Sequence, residues 1–289
     1  MAEIERDEIT GTETTGHTWD GIKELDTPLP RWWFWTFMVT IAWGVGYLIA
    51  YPAIPLVEKA TDGILGYSSR GEVMAEIAEA KAGNAKFLDQ IAELPLQEIA
   101  DNSDLMAFAV AGGRSAYAVN CVQCHGTGAS GAPGYPNLND DDWLWGGSLE
   151  DVRFTIAHGI RFEADEDTRT SEMPRFLADE ILDADQIGDV ADYVLSLTNP
   201  DHSPEAAKRG AAIYEEQCVA CHAENGNGDR EQGAAKLNDA IWLYGGTRED
   251  IINTISYSRK GVMPAWGHRL DDETIKKLTL YIHSLGGGE

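Results

Sequence analysis

The chain has 289 residues, of which 43% are hydrophobic and 24% are charged, and its formal net charge is −26 at pH 7. This sign excludes nucleic acid as a natural partner, because the nucleic-acid backbone is itself strongly negative. The length is sufficient for two small domains and additional segments.

The chain begins with an acidic segment and continues into a long apolar one. Residues 1–31 contain eight acidic and three basic side chains, whereas residues 32–51, WWFWTFMVTIAWGVGYLIAY, contain no charge. As an α-helix this stretch is about 30 Å long, which matches the hydrocarbon core of a bilayer, and its Trp and Tyr residues are typical of membrane interfaces. A cleaved signal peptide would have a basic start and a shorter apolar core, and a buried core helix is seldom so uniformly apolar. We therefore predict an acidic tail over 1–31 and a retained transmembrane helix over 32–51.

The next segment, residues 52–104, is predicted to be a helical linker. It is mostly polar from residue 58 onwards, with apolar side chains at helical spacing at Val73 and Ile77 and again at Phe87 and Ile91. The segment is longer than a tether requires. Packing on a partner subunit and packing on the domains that follow both remain open.

Two Cys-x-x-Cys-His motifs contain all four cysteines, CVQCH at 121–125 and CVACH at 218–222. This pattern is the attachment signal for c-type haem, because two thiols one helical turn apart can each form a thioether with a vinyl group of one porphyrin, and the next imidazole can bind its iron. A shared zinc would not need a histidine after each pair, and neither motif lies in the βαβ pattern typical of redox-active disulfides. We predict two covalently bound haems c, attached through Cys121, Cys124, Cys218 and Cys221, with His125 and His222 as iron ligands.

The motifs belong to an internal repeat. GRSAYAVNCVQCH aligns with GAAIYEEQCVACH, and after the motifs WLWGG aligns with WLYGG before each repeat ends in an amphipathic helix. Each repeat is about 90 residues long, an ordinary size for a small domain. The predicted units are 105–200 and 201–289, and the first contains an additional acidic stretch, 162–170, to which the pattern assigns no role.

The sixth iron ligand is expected after each motif, and two methionines qualify by position. Met173 and Met263 occupy corresponding places in the repeat, and each is followed by proline, which fixes the local backbone. His158 and His268 are rival ligands, but neither has a counterpart in the other repeat, which is typical of surface or hydrogen-bonded histidines. A thioether opposite an imidazole raises the reduction potential, which suits electron acceptance from a respiratory donor.

The whole chain resembles the dihaem subunit of cbb3-type cytochrome c oxidase, the CcoP or FixP family. The resemblance rests on the acidic tail, the DTPLPRWWFWTF segment that leads into one apolar helix, and two tandem units with CxxCH, WxxGG and Met-Pro motifs. It implies a mainly α fold in which one N-terminal transmembrane helix precedes two tandem class I cytochrome c domains. It also implies two ligand pairs, His125 with Met173 for the first haem and His222 with Met263 for the second.

The resemblance further implies a function and partners. Such a subunit relays electrons from periplasmic or membrane cytochrome c donors towards a monohaem cytochrome c subunit and the catalytic haem-copper subunit, where oxygen is reduced and protons are translocated. Enzyme activity then belongs to the complex, because a single uncharged span supplies neither a copper site nor a proton path. Since haem c is attached on the outer side of the bacterial inner membrane, we expect the tail in the cytoplasm, the helix in lipid and the haem units in the periplasm.

Two other functions fit part of the pattern. A free-standing membrane-anchored dihaem shuttle, or the cytochrome subunit of a dehydrogenase, needs the same haem chemistry but no oxidase complex. A dihaem peroxidase needs one iron with an open ligand position, whereas both repeats offer a Met-Pro ligand. Residues 58–201 contain most of the negative charge. We expect this region to attract a basic electron donor, and a merely solvated acidic surface is the alternative.

Overall fold

The computed structural model describes residues 4–287, so the first three residues of the predicted tail and the last two of the predicted second cytochrome unit lie outside the described residues. The described chain is mainly helical, as predicted. It divides into two compact units, one up to residue 82 and one from residue 83 onwards.

The unit up to residue 82 starts with a β-hairpin that the sequence analysis did not predict. Strands β1 (Thr14–Trp19) and β2 (Ile22–Leu25) pair antiparallel. The two residues between them, Asp20 and Gly21, have positive φ angles of 47° and 84°. A type I′ turn requires positive φ at both positions, and Asp-Gly is a favoured sequence for it. The acidic tail therefore contains local structure of its own.

The apolar segment forms helix α1 (Arg31–Ala50), which begins and ends one residue earlier than the predicted range. None of its residues is buried within the protein. Such an apolar surface is unfavourable in water but is expected for a helix in hydrocarbon, and α1 is long and apolar enough to cross a membrane. Helix α2 (Ser69–Gly83) follows, and it too has no buried residue.

The unit from residue 83 onwards contains both Cys-x-x-Cys-His motifs. In chain order, its helices are α3 (Ala85–Glu93), α4 (Leu96–Asp101), α5 (Ser103–Asn120), α6 (Val122–His125), α7 (Leu149–His158), α8 (Ala184–Ser196), α9 (Pro204–Gln217), α10 (Val219–His222), α11 (Arg248–Tyr257) and α12 (Asp272–His283). Helices α5, α8 and α9 begin at side-chain caps, where an oxygen of Asn102, Asp183 or Ser203 accepts a hydrogen bond from the first helical turn.

The helix that closes each repeat packs against the other repeat. Helix α12 crosses α5 and contacts α7, whereas α8 packs against α9 and α11. Gly113 lies against the backbone carbonyl of Lys277 at the first crossing, and Gly210 lies against that of Asp189 at the second. A Cβ atom at either glycine would collide with the carbonyl group. The repeat boundaries stay a prediction, but among the described helices each closing helix makes its most extensive helix–helix contacts with the other repeat.

Two hydrophobic cores result from this exchange. The first-motif core contains side chains of α5, α7 and α12 and of the loop after α6: Tyr117, Ala129, Val152, Ile156, Ile275, Leu278 and Ile282. The second-motif core contains side chains of α8, α9 and α11 and of the segment before α8: Phe176, Leu182, Ile187, Val190, Ala191, Val194, Leu195, Tyr214, Ile251 and Ile255. The short connection between α8 and α9 favours their packing as neighbours.

The C-terminal part of the predicted linker packs on this unit. Helices α3 and α4 contribute Ile91, Leu96 and Ile99 to a third core, which also contains Leu105 of α5 and Leu280 of α12. Of the two arrangements that the sequence left open, packing on the domains that follow is the one observed for α3 and α4.

A buried lysine ties α3 to α12. Lys276 is 8% exposed, and its Nζ donates hydrogen bonds to the carbonyl oxygens of Ile91, Ala92 and Leu94 at 2.9, 2.9 and 3.0 Å. The carbonyls at the end of a helix have no partner within the helix. The ammonium group supplies their hydrogen bonds from a different helix.

We predict that K276M destabilises the unit from residue 83 onwards. The change leaves the end of α3 without its three hydrogen bonds, and an unpaired buried polar group costs roughly 1–3 kcal/mol of unfolding free energy. Denaturant unfolding of the purified protein, followed by circular dichroism, measures the loss. The matched control is K208M, at an exposed lysine on α9, and equal stability of the two variants would contradict the role of Lys276.

Candidate haem-binding sites

The first motif lies where α5 meets α6. Cys121 follows α5, and α6 ends at His125. Tyr117, in the last turn of α5, donates its hydroxyl hydrogen to the carbonyl oxygen of Gly126 at 2.9 Å, which holds the chain directly after the motif. The imidazole Nδ1 of His125 lies 3.1 Å from the carbonyl oxygen of Pro136. Because only a protonated Nδ1 can donate to a carbonyl, Nε2 keeps the lone pair that an iron ligand needs.

The second motif repeats this arrangement. Cys218 follows α9, and the hydroxyl of Tyr214 donates to the carbonyl oxygen of Ala223 at 2.9 Å. Nδ1 of His222 lies 2.9 Å from the carbonyl oxygen of Ala235. Both imidazoles are therefore oriented through the same nitrogen by a loop carbonyl.

Burial sets the protonation of both motifs. It lowers the pKa of His125 and of His222, and the hydrogen bonds to the loop carbonyls only partly oppose this shift. Burial also raises the pKa of the Cys121 and Cys218 thiols to about 11. Near neutral pH the imidazoles are therefore in the neutral form that binds iron. The half-buried thiols of Cys121 and Cys218 are protonated near neutral pH.

A cavity lies beside the second motif, and Cys218, Cys221 and His222 contribute to its lining. Most of the remaining wall is apolar and comes from α8, α11 and the loops between the helices: Phe176, Val190, Val194, Leu237, Ile241, Trp242, Ile251 and Ile255. Apolar walls, two thiols one helical turn apart and one oriented imidazole fit a porphyrin that is attached through thioethers.

The structure corrects the pairing of the methionines with the motifs. Met173 lines the cavity of the second motif, whereas Met263 packs against the first-motif core, together with Cys121. This placement differs from the pairs expected from the sequence, which were His125 with Met173 and His222 with Met263. Each methionine precedes a closing helix, and because these helices are exchanged, each methionine accompanies its helix to the other motif.

Backbone hydrogen bonds position the two methionine segments. The Ile160 N–H donates to the Met263 carbonyl at 2.9 Å, and the Met263 N–H donates to the Ile160 carbonyl at 3.0 Å. Gly159 has a φ of 70°, and a Cβ there would collide with the Met263 carbonyl. The other segment is tied to α11, where the Phe176 N–H donates to the Ile255 carbonyl at 3.1 Å.

The last glycine of each Trp-x-x-Gly-Gly segment is required for steric reasons. A Cβ at Gly147 would lie 2.5 Å from Cδ1 of Trp143, and one at Gly246 would lie 2.6 Å from Cδ1 of Trp242. The two indole rings pack against the first-motif and second-motif cores respectively. Only glycine at the last position lets each ring approach the backbone this closely.

The two rival histidines both face one carboxylate. Nδ1 of His158 lies 3.1 Å from Oδ1 of Asp165, and Nε2 of His268 lies 3.0 Å from Oδ2. Asp165 is buried and belongs to the acidic stretch 162–170. These contacts agree with the hydrogen-bonded role expected for unpaired histidines. The stretch thereby joins the end of α7 to the segment that follows Met263.

Two arginines at the ends of this stretch were missed by the sequence analysis. The Arg161 N–H donates to the Arg169 carbonyl at 2.8 Å. The Arg169 guanidinium lies over the rings of Trp145 and Phe154, at 5.4 and 4.9 Å, and 3.0 Å from Oδ1 of Asp151. The Arg161 side chain lines the cavity of the second motif. The internal repeat could have indicated Arg161, because the second repeat has a basic residue, Lys260, at the corresponding position.

Comparisons with known proteins match three parts of the chain. Residues 11–58 match the N-terminal domain of cytochrome oxidase-cbb3, FixP, residues 110–198 match cytochrome c, and residues 205–282 match cytochrome C oxidase, cbb3-type, subunit III. The chain is 53% identical over 288 residues to the Cbb3-type cytochrome c oxidase subunit FixPc of Rhizobium leguminosarum bv. viciae, with 100% of both chains covered. It is 50% identical over 276 residues to the subunit CcoP of Cereibacter sphaeroides, with 96% of this chain and 95% of that protein covered. The CcoP of Azospirillum brasilense is 49% identical, with 100% of both covered.

Proposed function

This chain belongs to the FixP/CcoP family of cbb3-type cytochrome c oxidase subunits, and from that membership we propose that it passes electrons from a periplasmic or membrane cytochrome c towards the monohaem and haem-copper subunits of an oxidase. Its role in electron transfer and its two covalently bound haems c follow from the family and from its cytochrome c modules. The main structural support is the presence of two matched motifs, each with an imidazole that a loop carbonyl orients.

The haem ligands are proposed to be exchanged between the repeats. Cys121 and Cys124 would attach the first haem, with His125 and Met263 as its axial ligands. For the second haem, the attaching thiols would be Cys218 and Cys221, and the axial ligands would be His222 and Met173. The positions of the two methionines, one in the first-motif core and one in the second cavity, support this assignment.

The protein environment favours the reduced state of the second haem. When bound, haem supplies a one-electron iron couple whose potential depends on its axial ligands and on burial. Water stabilises the oxidised iron, which carries the higher charge. Because the wall of the cavity is mostly apolar, it stabilises the oxidised iron less than an open, hydrated site would. The Nδ1 hydrogen bonds keep both imidazoles in the orientation that ligation needs, so little rearrangement accompanies electron transfer.

The chain is proposed to cross the bacterial inner membrane once, with the tail and its hairpin in the cytoplasm and both haem units in the periplasm. The apolar surface of α1 supports the single span. The covalent attachment of haem c outside the cytoplasm supports the orientation. In this arrangement α1 contacts lipid, and the haem units face the soluble donor.

We predict that each methionine affects only the haem of the other repeat. In a variant with C218A and C221A, which keeps only the first haem, M263H should remove the methionine-to-iron charge-transfer absorption of the oxidised protein, and M173H should leave it intact. In the reciprocal variant with C121A and C124A, the effects should be reversed. Optical spectra of the four proteins measure this. Loss of the band with M173H in the first-haem protein would instead support pairing within a repeat.

The oxidase assignment predicts which proteins remain associated with this chain. Purification in mild detergent through a tag on the chain should yield haem b, copper and a large multispan subunit, and the preparation should consume oxygen from a reduced donor. Spectra, metal analysis and subunit mass spectrometry test this. Recovery of haem c alone, without oxygen consumption, would favour a free-standing electron shuttle.

The acidic region is expected to increase the rate at which a basic donor binds. Asp141, Glu163 and Glu166 are exposed, so D141N/E163Q/E166Q should slow oxidation of a basic cytochrome c and weaken its dependence on salt, because steering by complementary charge falls with ionic strength. Stopped-flow rates at several salt concentrations measure both effects. The control E8Q/D20N/D26N removes the same charge from the tail. Equal rates for the two triple variants would show that the acidic region is merely solvated.

A further inference from the structure

The side chain of Arg161 contacts both methionine segments. Its Nε donates to the carbonyl oxygen of Gly261 at 2.7 Å, and its Nη1 donates to the carbonyl oxygen of Ser171 at 3.1 Å. Gly261 lies two residues before Met263, and Ser171 lies two residues before Met173. One planar guanidinium therefore connects corresponding positions of the two segments.

The backbone of Arg161 is held in an unusual conformation beside Met263. Its φ is 53°, in the left-handed region, which is unfavourable for a residue with a side chain. The preceding residue, Ile160, makes the two backbone hydrogen bonds to Met263, and the N–H of Arg161 donates to Arg169 at the far end of the acidic stretch. The side chain of Arg161 is part of the lining of the second cavity.

Both hydrogen-bond acceptors of Arg161 are uncharged carbonyl groups. The carboxylate of Glu172 also interacts electrostatically with Arg161, but its ion pair is with Lys260. The guanidinium is only partly exposed, and a charge in such a position is less screened than one on the surface. A nearby positive charge disfavours the oxidised state of a haem iron, since oxidation adds a further positive charge.

The corresponding residue of the second repeat behaves differently. Lys260 is at the same repeat position as Arg161, but its Nζ lies 2.6 Å from Oε1 of Glu172, and these side chains are 46% and 62% exposed. An exposed ion pair of this kind contributes little and is screened by solvent. The two equivalent basic residues therefore differ in their acceptors.

We propose that Arg161 is a positioning residue shared by the two haem sites. It holds both methionine segments through one guanidinium, so that the coordination of both irons depends on it, and its charge raises both reduction potentials. This inference rests on the exchanged methionine ligands of the proposed function.

The test uses the full-length protein with both haems and compares R161Q, R161K and K260Q. An optical redox titration resolves two one-electron components, and the methionine-to-iron charge-transfer band reports the bond to each methionine. R161Q should lower both midpoint potentials by about 59 mV, which is a tenfold change in the oxidation–reduction equilibrium of a one-electron couple. It should also weaken the charge-transfer band. K260Q removes the same charge but should leave the first-haem component unchanged.

R161K separates charge from geometry. Lysine keeps the charge but lacks the planar fork that bonds two fixed carbonyls, so potentials closer to those of the original protein should accompany a weakened band. Should R161Q fail to bind both haems, R161K alone decides, and an unchanged band would overturn the proposal. A shift of only one component in R161Q, or equal shifts of both in K260Q, would also overturn it. Absence of the band from the unaltered protein would instead refute the methionine ligands themselves.

Discussion

The close crossing of two helices at a glycine is the contact on which the haem-binding unit depends. At Gly113 and at Gly210 the backbone of one helix approaches the carbonyl of another so closely that no side chain fits between them. Few helix pairs can approach each other this closely. The two pairs that do so here are α12 with α5 and α8 with α9. The two cores, the two methionine segments and the wall of the second cavity all take their places from these crossings.

The exchange makes the two haem units mutually dependent. In two independent domains, loss of one closing helix would affect only its own iron, whereas here it would open the neighbouring site. The buried side chain of Lys276 extends this dependence to α3, which lies before the first motif in the chain. The acidic stretch 162–170 adds a further connection. Its Asp165 accepts hydrogen bonds from His158, at the end of α7, and from His268, in the segment that follows Met263.

In both motifs, residues close in sequence and residues distant in sequence determine different properties of the haem site. Attachment and tautomer depend on nearby groups: the tyrosine one turn before each cysteine, and the carbonyl that accepts from Nδ1 of His125 or His222. In the proposed ligand set, the sixth ligand of each iron depends on the methionine segment that precedes the other repeat's closing helix.

The sequence by itself determined the cofactor, because both thiols and the imidazole lie within five consecutive residues, and it determined the apolar helix, because length and hydropathy are local properties. It also indicated Met173 and Met263 through their shared repeat position. Which motif each methionine reaches was decided only by the tertiary structure. The repeats are so similar that either closing helix matches either crossing in its pattern, and the choice depends on the short connection between α8 and α9, which favours packing of neighbours over packing within a repeat. The role of Arg161 was hidden for the same reason, since its two acceptors become neighbours only after the exchange.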